Sequence, residues 1–239
     1  MVRVGLIGAG EIAQLAHLPV LRNLPGLFEI TGITDVSLQM CRQVQQRFNI
    51  PTVFETPAQL IASPEVDAIM VLSSDPFHCE FALAALQAGK HVFVEKPLAM
   101  NVPDVEKLVE AQKRHPGQVG MVGFMRRYAS PFLKAKEILQ TSPLPIQYVR
   151  FRDIIREGDF YVRQTSSTVA AHQFADAPAG GKEQLAQMKH AQHSVALGQE
   201  AGAVQRSAYQ MLLGLGCHSF SAVRELSGPP KKVVSVLTA

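Results

Sequence analysis

The sequence predicts an α/β protein, with a doubly wound parallel sheet followed by an incomplete α+β region that has an open, mainly antiparallel sheet. Six short apolar runs alternate with helical patterns between residues 2 and 123, as expected for parallel strands covered by helices on both faces. Beyond residue 124 the strand pattern lengthens and gains one polar face, which is typical of antiparallel sheets with a solvated side. We therefore expect two domains, at residues 1–123 and 124–239.

The composition indicates a globular protein that binds neither nucleic acid nor membranes. Of the 239 residues, 47% are hydrophobic and 18% are charged, which suits a chain with a sizeable core. The net charge is only +3 and the basic residues are scattered, so no polyanion-binding surface is predicted. Three widely spaced cysteines predict no disulfide framework and fit a reducing compartment. Because the first strand begins at Val2 and no apolar run has the length of a membrane span, we expect a cytoplasmic protein.

The first domain is expected to alternate strands and helices from its beginning. Gly89 is typical of a helix C-terminus and Pro97 cannot donate to a strand ladder, so these two residues bound the strand between them. The predicted strands are Val2–Ile7, Phe28–Thr34, Thr52–Phe54, Val66–Leu72, His91–Val94 and Gln118–Gly123. The predicted helices run from a glycine-rich turn to Arg22 and over Leu38–Phe48, Pro57–Ala62, Pro76–Ala88 and Val102–His115.

The second region contains only two clear strand patterns, Ile146–Ile155 and Lys231–Thr238. Two strands are marginal as an independent sheet. We therefore expect a fragment, or a short form that completes its sheet by pairing with another subunit in a homo-oligomer. Residues 164–181 are rich in small and polar residues and are expected to form a loop. The predicted helices of this region are Pro131–Leu139, Lys182–Gln199, Ala203–Leu213 and Ser219–Leu226.

A glycine-rich turn joins the first strand to the first helix. The stretch Gly8-Ala9-Gly10-Glu11-Ile12-Ala13 has the spacing G-x-G-x-x-A. The first glycine permits a tight turn, the second lets the backbone approach a pyrophosphate, and the helix N-terminus attracts the phosphates. The pattern by itself also fits a plain strand–turn–helix. Its position directly after an N-terminal strand favours dinucleotide binding.

An acidic residue follows the second strand. Asp35 lies 25 residues after Gly10, near the spacing at which a carboxylate accepts the ribose 2′-hydroxyl of NAD. A carboxylate there would repel a 2′-phosphate, and no arginine occurs at positions 36–41. The sequence therefore favours NAD over NADP. Asp35 could also cap the following helix, which is compatible with cofactor binding.

A charged pair follows the short strand His91–Val94. Glu95 and Lys96 lie between its apolar run and Pro97, at the carboxyl end of a buried parallel strand. In open α/β sheets this end is where ligands bind. The alternative is a solvated ion pair at a loop mouth.

Five motifs together match a known family. They are Gly8-x-Gly10-x-x-Ala13, Asp35, Ser73-Ser74-Asp75-x-x-His78, Gly89-Lys90-His91-Val92-x-Val94-Glu95-Lys96-Pro97 and Gly123-Phe124-Met125-Arg126-Arg127-Tyr128. With them the chain resembles the Gfo/Idh/MocA oxidoreductases, the family of glucose-fructose oxidoreductase and inositol dehydrogenase. The resemblance covers residues 1–155 and, more loosely, 214–238.

The resemblance implies a Rossmann domain that binds NAD, or less favourably NADP, and a sugar, polyol or cyclitol substrate. A hydride would pass between the substrate CH–OH group and the nicotinamide. In this family the Lys-Pro bond is often cis, Glu95 and Lys96 lie beside the nicotinamide ribose, and Arg126 and Arg127 flank the junction of the domains. The implied cofactor contacts are Gly8, Gly10, Glu11, Ile12, Asp35, Ser73, Ser74, His78, Glu95, Lys96 and Arg126.

Lys96 and His218 are the expected catalytic pair. Oxidation of an alcohol releases the hydroxyl proton, for which histidine is a suitable base, and a lysine can stabilise the developing alkoxide. His218 is expected to begin the helix Ser219–Leu226, whose N-terminal dipole would favour the neutral imidazole. A buried core histidine without catalytic function is the alternative.

The sequence departs from the family pattern before this histidine. Family members commonly carry an acid four residues earlier, where this chain has Gly214, so no orienting carboxylate is supplied. The alternative function is therefore a non-catalytic NAD-binding sensor or regulatory protein, or a truncated inactive fragment. No metal site is predicted, because His172, His190 and His193 lack further ligands at a suitable spacing.

Overall fold

The computed structural model describes residues 1–152, 164 and 167–235. Its first half is a six-stranded sheet with the order β3-β2-β1-β4-β5-β6, in which every neighbouring pair is parallel. The strands are β1 (Val2–Ile7), β2 (Phe28–Thr34), β3 (Thr52–Val53), β4 (Ala68–Val71), β5 (His91–Val94) and β6 (Gly120–Val122). The predicted doubly wound α/β domain is therefore confirmed, with three strands shorter than expected.

Nine α-helices lie wholly within the described residues. They are α1 (Leu18–Arg22), α2 (Leu38–Phe48), α3 (Pro57–Ala62), α4 (His78–Gln87), α5 (Val102–Arg114), α6 (Ser130–Thr141), α7 (Gly181–Leu197), α8 (Ala203–Met211) and α9 (Cys217–Ser227). A π-helical turn, Ala13–His17, leads into α1, and 3-10 turns cover Asp75–Phe77, Met125–Tyr128 and Ala171–Gln173. None of the helices described combines the length and apolarity that crossing a membrane requires.

Side-chain caps explain where the helices of the first domain begin. The Ser37 hydroxyl accepts from the Met40 N–H at the start of α2. Thr56 and Gln59 form a capping box at α3, and the Asn101 side chain accepts from the first turn of α5. These side chains satisfy backbone donors that have no partner within the helix. The boundaries of α2 and α3 therefore match the sequence-based expectation.

The core lies on both faces of the sheet. One cluster packs the β1 and β2 side chains against the first helix and α2, with Leu6, Leu18 and Ile33 fully buried. A second cluster on the opposite face includes Leu60 and Ile69. Burying each such side chain contributes about 1.5–3 kcal/mol. The two clusters hold the sheet in place, and its carboxyl edge remains available for the site.

The antiparallel sheet expected after residue 124 is not present in the described residues. Residues 146–152 and 231–235 contain no strand, and the remainder of both predictions, 153–155 and 236–238, lies outside the described residues. Tyr148 is 81% exposed and Val234 is 88% exposed. A strand is stabilised by pairing, and neither segment has a partner strand among the described residues. The subunit pairing expected through this sheet stays a prediction.

The helix around His218 also differs from the expectation. Residues 203–227 form one continuous helix in which a π-helical turn, Leu212–Gly216, joins α8 to α9. Gly216 has helical angles, φ −58° and ψ −29°, and the Cys217 N–H donates to the carbonyl of Leu212. The two glycines of this stretch lie within the helix and do not break it. His218 therefore lies inside a helix, and the prediction that a helix N-terminus favours its neutral form is wrong.

Arg3 and Asp67 join the starts of β1 and β4. The Arg3 backbone N–H donates to Asp67 Oδ2 over 2.9 Å, and its Nη2 donates to Oδ1 over 2.7 Å. The Arg3 side-chain and backbone hydrogen bonds lower the pKa of Asp67 to about 2. An acid with a lowered pKa in the folded state stabilises the fold above its unfolded pKa, and this stabilisation is lost as the pH falls through the folded pKa.

We expect the difference in unfolding free energy between the wild type and Asp67→Asn to shrink as the pH falls from about 4 to about 2. The effect should be modest, because the Asp67 side chain is 37% exposed and solvent screens such pairs. Urea unfolding at several pH values measures it. Glu65→Gln is the control, since Glu65 contacts the same guanidinium but is 74% exposed. A pH-independent difference would contradict the prediction.

Candidate functional site

The carboxyl ends of the central strands form a crevice. The strand order reverses direction between β1 and β4, and ligands of open α/β sheets bind at such a point. A cavity of ≈ 430 Å³ lies there, and its lining includes Gly8, Asp35, Ser73 and Ser74. Four residues that the sequence assigned to the cofactor are thus brought together by the fold.

The glycine turn has the geometry that its sequence predicts. Gly8 has φ +110°, and a Cβ at this position would lie 2.6 Å from the backbone carbonyl carbon and oxygen of Leu72. A side chain is therefore excluded at Gly8 by both conformation and packing. A Cβ on Gly10 would have no described atom within 4 Å. Gly10 accordingly leaves its backbone open to a ligand, and Glu11 and Ile12 are exposed beside it.

Asp35 connects the end of β2 to the glycine turn. Its Oδ2 accepts the Ala9 N–H over 2.8 Å and its Oδ1 accepts the Ser37 N–H over 3.4 Å. Burial raises the pKa of Asp35, and although backbone hydrogen bonds oppose this shift, the pKa remains above its usual value. The nearby carboxylate of Asp176 adds to the increase. Asp35 therefore lies where the sequence predicts it and is already held by two backbone donors.

Ser73 and His78 connect the β4 exit to the Lys96-Pro97 turn. His78 is 1% exposed, and its Nδ1 and Nε2 lie 2.7 Å from the Pro97 carbonyl and 2.9 Å from the Ser73 carbonyl. The imidazole thus holds two loops at the crevice. The Ser73 hydroxyl is buried and has no hydrogen-bond partner among the described residues.

Glu95 and Lys96 follow β5, and the Lys96-Pro97 peptide is cis. Glu95 Oε1 lies 2.8 Å from His17 Nε2. His17 was not among the site residues predicted from the sequence. Burial raises the pKa of Glu95, but the hydrogen bonds from His17 and the Lys96 N–H and the charges nearby outweigh it, so the pKa is lowered overall. The only signal for His17 in the sequence was its place one turn beyond the glycine motif.

Lys96 reaches the helix that carries His218. Its Nζ donates to the Gly214 carbonyl over 3.1 Å, one helical turn before the histidine. His218 is 5% exposed, and its ring meets the Phe124 ring edge-on with the centroids 6.2 Å apart. A second cavity, ≈ 600 Å³, is lined by Phe124, Arg127 and Cys217 among other residues. Lys96 therefore contacts the helix that carries His218, and half-buried Arg126 belongs to the 3-10 turn Met125–Tyr128.

The family follows from a comparison with known proteins. Residues 2–124 match the family model Gfo/Idh/MocA, described as "Oxidoreductase family, NAD-binding Rossmann fold". The chain belongs to this family. The membership agrees with the resemblance that the motifs indicated.

Two relatives show the extent of the similarity. The chain is 41% identical over 140 residues to the inositol 2-dehydrogenase/D-chiro-inositol 3-dehydrogenase of Shouchella clausii, a match covering 58% of this chain and 40% of that protein. It is 32% identical to a myo-inositol dehydrogenase of Lactobacillus casei crystallised with NAD(H) and myo-inositol, with a TM-score of 0.56 over 59% of this chain and 42% of that one. The chain thus matches less than half the length of either relative.

A third structure extends the similarity of fold. The myo-inositol 2-dehydrogenase of Lactobacillus plantarum has a TM-score of 0.63 and covers 95% of this chain and 56% of its own, at 20% identity. This identity supports the fold alone. It indicates that the helices after residue 124 follow an arrangement known in a longer protein.

We expect Gly8→Ala and Gly10→Ala to have separable effects. Gly8→Ala should lower the free energy of unfolding by more than about 1 kcal/mol, because the new Cβ meets the Leu72 backbone at a positive φ. Gly10→Ala should leave stability nearly unchanged and weaken dinucleotide binding, because its Cβ faces open space. Urea unfolding and calorimetric titration with NAD measure the two effects. Equal stability losses in both variants would contradict this assignment.

Proposed function

We propose that this protein is an NAD-dependent oxidoreductase that oxidises a CH–OH group of a cyclitol or related polyol. The observation that carries the proposal is the contact between Lys96 Nζ and the Gly214 carbonyl. It brings the cation at the end of β5 against the helix of His218, beside the crevice of a family member with an NAD-binding fold. The curated relative and the solved structures named above are inositol dehydrogenases, which supports the substrate class.

The crevice fits a dinucleotide in several respects. The turn at Gly8 cannot accept a side chain and the space beside Gly10 is open, so a pyrophosphate could approach the backbone at the helix N-terminus. The Ser73 hydroxyl is a buried donor that lacks a partner among the described residues. Asp35 retains acceptor capacity for ribose hydroxyls, since each oxygen accepts only one of the bonds described above. These groups would hold NAD, which supplies the hydride acceptor when bound.

Lys96 and His218 divide the remaining chemistry between them. Loss of a hydride from the substrate carbon leaves a carbonyl only if the hydroxyl proton also departs. His218 would accept this proton as a general base, and the ammonium of Lys96 would stabilise the negative charge that develops on the oxygen. The buried position of His218 and the half-buried position of Lys96 strengthen both interactions, since a low dielectric increases electrostatic effects.

A second candidate function is NAD binding without turnover, as in a sensor or regulatory protein. The observation that favours it is Gly214, which supplies only a backbone carbonyl to Lys96 and no carboxylate to orient His218. The two candidates share the cofactor crevice and differ in turnover. Measurements of turnover and of NAD binding on the same protein therefore distinguish them.

Lys96→Met tests the catalytic proposal. The variant removes the charge from a side chain of nearly the same length, so kcat/KM for inositol oxidation at saturating NAD should fall by about 10²–10³-fold. NADH absorbance against a panel of inositols and linear polyols measures turnover, and calorimetry measures binding. Lys107→Met is the control, because Lys107 is 62% exposed on α5 and lines neither of the two cavities described above. Full activity of Lys96→Met would refute the assigned role.

Gly214→Asp separates the two candidates. A Cβ at Gly214 would have no described atom within 4 Å, so the substitution should fold. In a dehydrogenase, the new carboxylate can orient the imidazole and kcat should rise, with Gly214→Asn as the uncharged control of equal size. If NAD binds but neither the wild type nor Gly214→Asp turns over any substrate of the panel, the non-catalytic function is favoured.

A further inference from the structure

Residues 167–177, here called the docking segment, are attached to the first domain by buried polar contacts. The Gln14 side chain donates to the Val169 carbonyl over 2.8 Å and accepts the Val169 N–H over 3.0 Å. Gln14 is only 3% exposed and also donates to the Ala9 carbonyl over 2.7 Å. The same amide therefore joins the docking segment to the glycine turn.

Apolar and charged groups hold the rest of the docking segment. Val169, Ala171 and Phe174 pack against the core cluster that includes α2. The Arg47 guanidinium near the end of α2 donates to the Ser167 carbonyl. Contacts near the C-terminal end of α2 and beside the glycine turn thus position the docking segment, which carries Asp176.

Asp176 lies at the N-terminus of α2, beside the crevice. Its Oδ1 accepts the Ser37 hydroxyl over 2.5 Å and its Oδ2 accepts the Gln39 N–H over 2.8 Å. A hydroxyl and backbone N–H groups at a helix N-terminus form a favourable site for an anion. The carboxylate of Asp176 occupies this site from within the chain.

The connection between β2 and α2 also carries Asp35, the residue expected to bind the adenosine ribose. Asp35 directly follows β2, and its Oδ1 accepts the Ser37 N–H, so the carboxylates of Asp35 and Asp176 share Ser37 as a hydrogen-bond partner. In a dinucleotide site the acidic residue after the second strand accepts the ribose 2′-hydroxyl. A phosphate on that hydroxyl would therefore be directed towards the donors that Asp176 already holds.

We propose that Asp176 is a specificity-determining residue that excludes NADP by occupying, with its own carboxylate, the position a 2′-phosphate would take. This inference rests on the proposed function only for the cofactor crevice and not for catalysis. NAD has a hydroxyl at the 2′ position and leaves Asp176 undisturbed. NADP would have to displace Asp176 from Ser37 and Gln39 and would face two carboxylates.

Specificity can be distinguished from a purely structural role of Asp176. The Ser37 hydroxyl caps α2 by itself, since it accepts from the Met40 N–H over 3.0 Å. Asp176→Asn keeps a side-chain acceptor for Gln39 and removes the negative charge. A residue that only anchors the docking segment would alter NAD and NADP binding alike, whereas a specificity residue alters their ratio.

The test measures the dissociation constants of NAD and NADP by calorimetry for the wild type and Asp176→Asn. We expect NADP to bind about tenfold more tightly to the variant, as removal of one nearby like charge predicts, and NAD binding to change less than about threefold. The gain for NADP should weaken with added salt, because screening reduces charge repulsion. Glu183→Gln, which removes an exposed acid from the first turn of α7, should change neither constant.

The other possible results of these binding measurements decide between the inference, a structural role of Asp176 and the proposed function. If NAD binds to the wild type and Asp176→Asn leaves the NADP to NAD ratio unchanged, the inference is wrong and the proposed function stands. If Asp176→Asn weakens both ligands equally, the residue serves only to anchor the docking segment. If the wild type binds neither dinucleotide, both the inference and the cofactor part of the proposed function are overturned. Asp176→Ser provides a second uncharged variant should Asp176→Asn fail to fold.

Discussion

The close approach of the glycine turn to the end of β4 is the constraint on which the site depends. The Gly8 N–H donates to the Thr34 carbonyl of β2 over 2.8 Å, while its missing Cβ would lie 2.6 Å from the Leu72 backbone. Three strands thus meet at one residue without a side chain. In this arrangement Asp35 lies against the Ala9 N–H, and the space beside Gly10 is open. Any larger residue at position 8 would push β4 and its serines away from β1.

Several polar side chains attach the second half of the chain to this edge of the sheet. Lys96 reaches the Gly214 carbonyl, the Tyr209 hydroxyl donates to the Met100 carbonyl over 2.9 Å, and Gln14 holds Val169. On the side of the sheet, Lys96 and Met100 follow β5, and Gln14 lies in the helical turn that follows β1. Residues beside the proposed cofactor crevice therefore also position the part of the chain that would act on the substrate. Substitutions that remove these hydrogen bonds are expected to alter the position of the second half relative to the sheet.

The first domain and most of its site were predictable from the sequence, whereas the second half was predicted only in part. The apolar runs, the caps at Ser37 and Thr56 and the glycine motif are local signals, and the strands and helices that they predict are present. The expected strands at 146–152 and 231–235 are absent there, because alternation favours a strand only where a partner can pair with it. Two separate helices were expected, Ala203–Leu213 and Ser219–Leu226, yet the chain stays helical through Gly214 and Gly216 between them, since tertiary packing overrides intrinsic propensity.

The sequence by itself determined the parallel α/β domain, the dinucleotide motif, Asp35 and the Glu95-Lys96-Pro97 turn. These depend on periodicity, on turn chemistry and on residues close together in the chain. Only the tertiary structure decided that His17 pairs with Glu95, that Lys96 meets the turn before His218, and that Asp176 shares Ser37 with Asp35. Each of these pairs is brought together across many residues by packing on the sheet. Local sequence patterns contain no information about such distances, because the contacts form only when the core has folded.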